Sequence, residues 1–249
     1  MVSATDASAG RQGGETIAAR VARLEWPRIL AGLERDGHAE IAALLTRAEC
    51  GALAAMYDQR DRFRSRIDMA RLRFGVGEYK YFAAPPPRLV EELRSELYPH
   101  IAPLANEWMR EMRLEARFPP SFAEFRERCH RAGQTKPTPL ILRYGDGGYN
   151  CMHQDLYGEI FFPLQFTFML SRPGVDFAGG EFLILQQRPR AQSQGEAITL
   201  EQGGGVVFAT RWRPVKGSRG YYRVGMRHGV SRVRGESRCT LGIIFHDAK

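Results

Sequence analysis

The residues best suited to do chemistry are His153, Asp155, His228 and Arg238. In His153-Gln154-Asp155 an imidazole and a carboxylate stand two positions apart, and in a strand such residues face the same side and can reach one metal ion. A His-x-Asp pair alone is weak evidence, so a third ligand is required. His228, within a strand-like stretch at 222–233, can return to the same place across a barrel. Two histidines and one carboxylate leave three positions of an octahedral ion open, the facial arrangement of non-haem Fe(II) oxygenases. Zinc hydrolases share these ligand types, so the triad by itself does not choose the reaction. Arg238 follows His228 by ten residues. A guanidinium inside a barrel is costly unless it meets a bound anion, and its planar fork matches a carboxylate. Triad and arginine together point to a dicarboxylate cosubstrate, 2-oxoglutarate.

These residues need elements that bring them together. From about residue 139, short apolar or alternating runs rich in β-branched and aromatic residues are separated by Gly and Asp: 140–144, 161–170, 181–185, 197–200, 206–210, 222–233 and 240–245. Strands at such spacing with no helical pattern between them predict a β-sandwich or barrel rather than a parallel sheet. The preceding half reads as mostly helical. Residues 15–35 have helical apolar spacing, with a break at Pro27. Thr46-Arg47-Ala48-Glu49 is a capping box opening a helix to about Tyr57, whereas 38–45 fits a strand or a helix equally well. Pro85-Pro86-Pro87 starts a helix through Leu89, Val90, Leu93 and Leu97, and a separate helical stretch is expected at 104–112. No linker divides the chain. The expected organisation is a disordered tail at 1–13 and one domain at 14–249, with mainly helical support at 14–135 and the β-core at 136–249.

Composition narrows the function classes. The chain has 249 residues, 43% hydrophobic and 26% charged, which excludes wholesale disorder. No apolar run approaches the roughly 20 residues of a spanning helix. The first thirteen residues are small and polar, so no secretory signal is expected. Four scattered cysteines without a CxxC pair fit a reducing cytoplasm better than a disulfide framework. The formal charge is +8. It is concentrated between Gly205 and Arg238, where Arg211, Arg213, Lys216, Arg219, Arg223, Arg227, Arg232, Arg234 and Arg238 face one acid, Glu236. Such a block suggests a polyanion such as nucleic acid, or a solvated basic face. Arg60, Arg62, Arg64 and Arg66 form a second basic run with the same two readings.

Arg143-Tyr144-Gly145-Asp146-Gly147-Gly148-Tyr149, His153-Gln154-Asp155, Gly179-Gly180-Glu181-Phe182, His228 and Arg238 occur in the order seen in Fe(II)/2-oxoglutarate dioxygenases, and the chain resembles their prolyl-hydroxylase-like branch. With the blocks at 74–82, 132–134, 140–144, 153–158, 180–190 and 227–232, it resembles more closely a bacterial subfamily described as oxygenases acting on damaged DNA. The resemblance implies an α+β fold, a double-stranded β-helix (jelly-roll) core with an N-terminal helical extension packed on it. It implies Fe(II) on His153, Asp155 and His228, O2 as oxidant, and the distal carboxylate of 2-oxoglutarate on Arg238 with help from Thr240 and Tyr144. The last strand, Arg238-Cys239-Thr240-Leu241-Gly242-Ile243-Ile244, follows the prolyl-hydroxylase pattern rather than the Arg-x-Asn-x-Thr-x-Arg of DNA-alkylation-repair dioxygenases. The expected function is oxidative demethylation or hydroxylation of alkylated DNA or RNA bound through the 205–238 block. Hydroxylation of a protein side chain such as proline is the alternative, and a basic nucleic-acid-binding module without turnover is the competing class.

The other histidines have structural readings. His38, His100 and His130 lie in the helical half without a partner motif, and His246 closes the last strand with a structural hydrogen bond. Gly203-Gly204-Gly205 precedes no helical pattern and reads as a hairpin turn. Trp212, Tyr221 and Tyr222 interleave with the basic block and can pack or stack bases.

Overall fold

A computed structural model of the chain describes residues 15–155 and 158–249. The expected tail at 1–13 lies outside them. Two antiparallel sheets face each other across the core. The larger has seven strands among the described residues, in the order His38–Ile41 (β1), Gly205–Ala209 (β11), Leu164–Met169 (β7), Arg238–Ile243 (β15), Leu140–Tyr144 (β5), Glu78–Phe82 (β4) and Phe63–Asp68 (β2). The smaller runs Gln194–Ile198 (β10), Phe182–Gln187 (β9), Gly220–Val230 (β13), Tyr149–His153 (β6) and Gly75–Val76 (β3), with Trp212–Gly217 (β12) hairpinned onto β13. A short pair joins Ala178–Gly179 (β8) to Val233–Arg234 (β14). This alternation of strands between two sheets is the double-stranded β-helix.

The central strands read as unbroken apolar runs because they are covered on both faces. All residues of β11 and β15 are buried. One face meets the smaller sheet, where Phe182 and Phe208 rings stand 4.8 Å apart. The other meets the helix Arg88–Glu111 (α4), whose Tyr98 packs on Phe162 and Phe245 at 5.0 and 5.6 Å. The remaining helices are Ile17–Ala22 (α1), Trp26–Asp36 (α2), Arg47–Ala55 (α3) and Phe122–Arg131 (α5). The capping box of Thr46 and Glu49 forms at the start of α3.

The structure decides four points that the sequence left open or set differently. Beside its helices, the segment 14–135 supplies β1 to β4, and these extend both sheets. Within 38–45, His38–Ile41 forms β1, because pairing with β11 along His38↔Phe208 to Ile41↔Gly205 decides what periodicity left open. The helices expected at 88–97 and 104–112 are one helix that carries Pro99 and Pro103 in its interior. Both prolines lie four apart on the exposed face, where water can satisfy the carbonyls that lose their amide donors. Gly203-Gly204-Gly205 makes a turn but not a hairpin, since it carries the chain from β10 in one sheet to β11 in the other. There, Gly203 has φ +81° and a Cβ would stand 2.1 Å from the Leu45 carbonyl oxygen, which only glycine tolerates.

A buried charge pair locks the helical layer to the end of the β-core. Arg94, 1% exposed, reaches Asp247 at 2.7 Å and the Phe245 carbonyl at 2.8 Å, and His130 stands 2.9 Å from the other Asp247 oxygen. Removing one partner of such a pair leaves an uncompensated buried charge. Asp247→Ala is therefore expected to lower unfolding free energy by about 3–5 kcal/mol, read as a shift in urea midpoint, whereas Arg88→Ala at an exposed pair with Glu92 should leave the midpoint nearly unchanged.

Candidate active site

His153 ends β6 and His228 sits directly opposite on β13. Asp155 lies two residues beyond His153, where its backbone amide donates to the Thr210 carbonyl. The Nε2 atoms of His153 and His228 stand 3.5 and 3.4 Å from the two carboxylate oxygens of Asp155, and ligand atoms of all three residues lie within 4.8 Å of one another. Among the described residues this is the group of His, Cys, Asp and Glu so gathered. His153 Nδ1 lies 2.8 Å from the Cys151 carbonyl, so that nitrogen carries the proton and Nε2 presents its lone pair inward. Phe182 and Phe208 pack against the His228 ring. Burial drives His228 down to about 3, into its neutral form. Burial opposes ionisation of Asp155, yet the facing imidazoles and the Gln165 amide outweigh it and hold the carboxyl at about 2. Burial opposes protonation of His153 too, yet its hydrogen bond to Asp155 and the carboxylate charge outweigh burial and raise that imidazole above its ordinary value, so a divalent cation at Nε2 would compete with a proton there.

Gln165 was not legible as a site residue. It comes from β7 in the opposite sheet and donates to Asp155 Oδ2 at 2.5 Å, fixing the carboxylate from outside the cluster. The only signal was a glutamine inside an apolar run, Leu164-Gln165-Phe166, where a polar group must find a partner.

The cluster opens into a cavity of about 570 Å³ between the sheets. Arg238 lines its inner end and is 1% exposed. Its Nε donates to the Gly180 carbonyl at 2.7 Å, while neither Nη1 nor Nη2 has a hydrogen-bond partner among the described residues. Two buried, parallel donors without an acceptor would each be expensive to leave unmade. They fit a carboxylate from a bound ligand. Gly180 makes room for this side chain: at φ +62°, a Cβ there would stand 2.7 Å from Arg238 Cδ. Tyr144 faces Arg238 across the β5–β15 register, with the guanidinium 5.4 Å from its ring, and burial pushes its hydroxyl up to about 12 against the pull of Arg238. Thr240, two residues along β15, is buried and lines the same cavity. The residues singled out from sequence thus share one space. Arg73, Phe74, Tyr79 and Tyr81 from the N-terminal half line it too, and no role had been read for them.

The histidines read as structural lie elsewhere. His100 stacks on Trp26 at 4.1 Å, His38 stands 3.5 Å from Glu196, and His246 Nδ1 accepts from the Phe162 amide at 3.1 Å. The basic block does not form one surface, which corrects the view of 205–238 as a single nucleic-acid footprint. Arg213 is 2% exposed and donates to the Glu34 carbonyl and Gln186, and Arg238 is inside the barrel. These two are buried, whereas Arg211, Lys216, Arg219, Arg223, Arg227, Arg232 and Arg234 are exposed. In the second run, Arg64 donates to the Pro137 carbonyl and Arg66 pairs with Glu78. No helix among the described residues is long and apolar enough to cross a membrane.

The family described as oxygenases catalysing oxidative methylation of damaged DNA, Oxygenase-NA, matches residues 77–248. Two uncharacterized proteins from strains of Mycobacterium tuberculosis are 49% identical over 167 residues, covering 67% of this chain and 72% of theirs. Solved structures with the same fold include an α-ketoglutarate-dependent non-haem epimerase from nogalamycin biosynthesis, at TM-score 0.55 and 16% identity over 89% of this chain and 82% of that one. A prolyl 4-hydroxylase of Phytophthora capsici gives TM-score 0.54 at 16% identity over 97% and 70%. A prolyl hydroxylase of Trichoplax adhaerens gives 0.53 at 14% over 89% of each chain. On the family match across most of its length and the shared jelly roll, the chain belongs to the Oxygenase-NA family and is an oxygenase with the prolyl-hydroxylase-like 2-oxoglutarate/Fe(II) oxygenase fold.

Proposed function

We propose that the protein is an Fe(II)- and 2-oxoglutarate-dependent dioxygenase that oxidises alkylated bases in nucleic acid. The observation that carries the cofactor reading is Arg238, a buried fork with two free donors opening into the same cavity as a His-Asp-His cluster. His153, Asp155 and His228 would hold Fe(II), and Arg238, with Tyr144 and Thr240 beside it, would hold the distal carboxylate of 2-oxoglutarate. When bound, the ion and cosubstrate would supply O2-dependent hydroxylation of a C–H bond, with succinate and CO2 as the other products. The chain's own residues do the rest. Gln165 fixes Asp155, the Cys151 carbonyl sets the tautomer of His153, and Phe182 and Phe208 wall off His228 from water.

The nucleic-acid part rests on the family description and on the exposed arginines of the 205–238 block. Hydroxylation of an N-methyl group would give an N-hydroxymethyl group, which releases formaldehyde and leaves the base restored. Protein hydroxylation is the second reading, favoured by the prolyl-hydroxylase pattern of β15 and by the prolyl hydroxylases among the structural neighbours.

Incubation with Fe(II), 2-oxoglutarate and O2, following succinate, separates them. Methylated oligonucleotides should stimulate succinate release, and proline-rich peptides should not. Oligonucleotide binding should also weaken with salt at a log–log slope of about −0.7 per neutralised phosphate on a single strand. Stimulation by peptide alone, with no salt-dependent oligonucleotide binding, would establish the second reading.

A further inference from the structure

Between His153 and Asp155 stands Gln154, a residue to which the metal and cosubstrate assignments give no task. In a strand that continued β6, its side chain would point away from theirs. β6 stops at His153, however, and its pairing with β13 goes no further than His153↔His228. Beyond that point the half-buried Gln154 side chain makes cross-strand bonds of the kind that backbone amides make within a sheet. Its Nε2 donates to the Arg211 carbonyl at 2.8 Å, one residue ahead of β12, and to the Met226 carbonyl of β13 at 2.9 Å. The Arg211 carbonyl also accepts from the Met226 amide at 2.8 Å, and the Asp155 amide reaches the Thr210 carbonyl at 3.3 Å.

One side-chain nitrogen thus ties three segments, and each bears on a ligand. His153 precedes Gln154 and Asp155 follows it. Met226 lies two residues before His228, and both are buried on the same side of β13. The stretch at 210–211 holds the Asp155 backbone from beyond. A carboxamide suits this place. Both partners are carbonyl oxygens, so the tie needs two N–H hydrogens from one centre. An ionised glutamate of the same length has none to give, and neither has methionine. Ligands hold an ion well only if the elements that carry them keep their spacing.

We infer that Gln154 is a positioning residue of the metal site, setting the separation of His153 and Asp155 from His228 through the Arg211 and Met226 carbonyls. The inference rests on the metal reading above and adds to it a residue that is not itself a ligand.

Mn(II) titration by calorimetry, with the paramagnetic resonance spectrum of the bound ion, tests this on wild type, Gln154→Met and Gln154→Glu. Gln154→Met should weaken Mn(II) binding by about 10–100-fold, the range for a group that orients a ligand without being one, and should broaden the spectrum as ligand spacing loosens. Gln154→Glu should weaken it too, although its added negative charge would by Coulomb attraction alone tighten a cation. The opposite signs separate position from charge. Asn106→Ala is the control. It removes an amide bridge of the same kind, to the Phe118 carbonyl and amide at 2.9 and 2.8 Å, outside the cluster and its cavity. That variant should melt lower and bind Mn(II) as wild type does. If either Gln154 variant binds Mn(II) as well as wild type, or Gln154→Glu binds it more tightly, the inference falls and the metal site stands. A wild type that binds no Mn(II) overturns both. Thermal melting shows which variants fold, and Gln154→Asn, one methylene short of the two carbonyls, replaces any that does not.

Discussion

Asp155→Ala is expected to lose divalent-cation binding by more than about 100-fold and to abolish succinate formation. Removing a group that only orients a ligand typically costs about 10–100-fold in metal affinity, and Asp155 is itself the carboxylate between both imidazoles. Metal titration read by calorimetry, with Mn(II) in place of the oxidisable ion, measures the affinity directly. His228→Ala should behave alike. Gln165→Leu should fall in the about 10–100-fold range, because it leaves the ligand in place and removes only the 2.5 Å bond that orients it. His100→Ala should bind metal as wild type does, since His100 stacks on Trp26 away from the cluster. Equal metal binding by wild type and Asp155→Ala would show that the ion sits elsewhere.

Arg238→Met is expected to separate cosubstrate binding from metal binding. Truncating one member of a buried, hydrogen-bonded charge pair costs about 2–5 kcal/mol, so the apparent constant for 2-oxoglutarate should rise at least about thirtyfold while Mn(II) affinity stays near wild type. The stability of the ligand-free protein provides a second, independent readout. In wild type the guanidinium is buried without a carboxylate, held only at Nε by Gly180, and burial pulls its pKa down because the charged form is the one disfavoured. Replacing it with an apolar chain of similar length should therefore leave the melting temperature unchanged or raise it. Added 2-oxoglutarate should raise the melting temperature of the wild type, by linkage to the folded state, and should not raise that of Arg238→Met. A variant that melts lower and still responds to 2-oxoglutarate would make Arg238 a structural residue, with some other group holding the carboxylate.

Much of the site was legible because its signals are local or depend on strand period alone. His153 and Asp155 share a side because successive side chains in a strand alternate. The switch in texture near residue 139 marked the β-core, and Thr46 with Glu49 marked a helix start, since each is set by neighbours a few positions away. What the linear pattern could not carry is which strand lies beside which. Pairing with β11 made a strand of residues 38–41. Packing of α4 along the sheet kept one helix running through Pro99 and Pro103, where local propensity predicts a stop.

Charge shows the same division. Nine basic residues between Gly205 and Arg238 are a fact of sequence, but only the fold decides that Arg213 and Arg238 are buried and that Arg211 and Arg223 gather at the Trp212 ring. Gln165 reaches Asp155 from the opposite sheet, and Gln154 reaches the Arg211 and Met226 carbonyls from between two ligands. By itself the sequence determined the donor types, their order and the β-rich texture of the domain that holds them, because these follow from side-chain chemistry and short-range periodicity. Tertiary structure alone decided register, burial and the meeting of His153, Asp155 and His228 at one end of the Arg238 cavity, because these arise from contacts between segments far apart in the chain, where which surfaces are removed from water is settled by the packing of the whole domain.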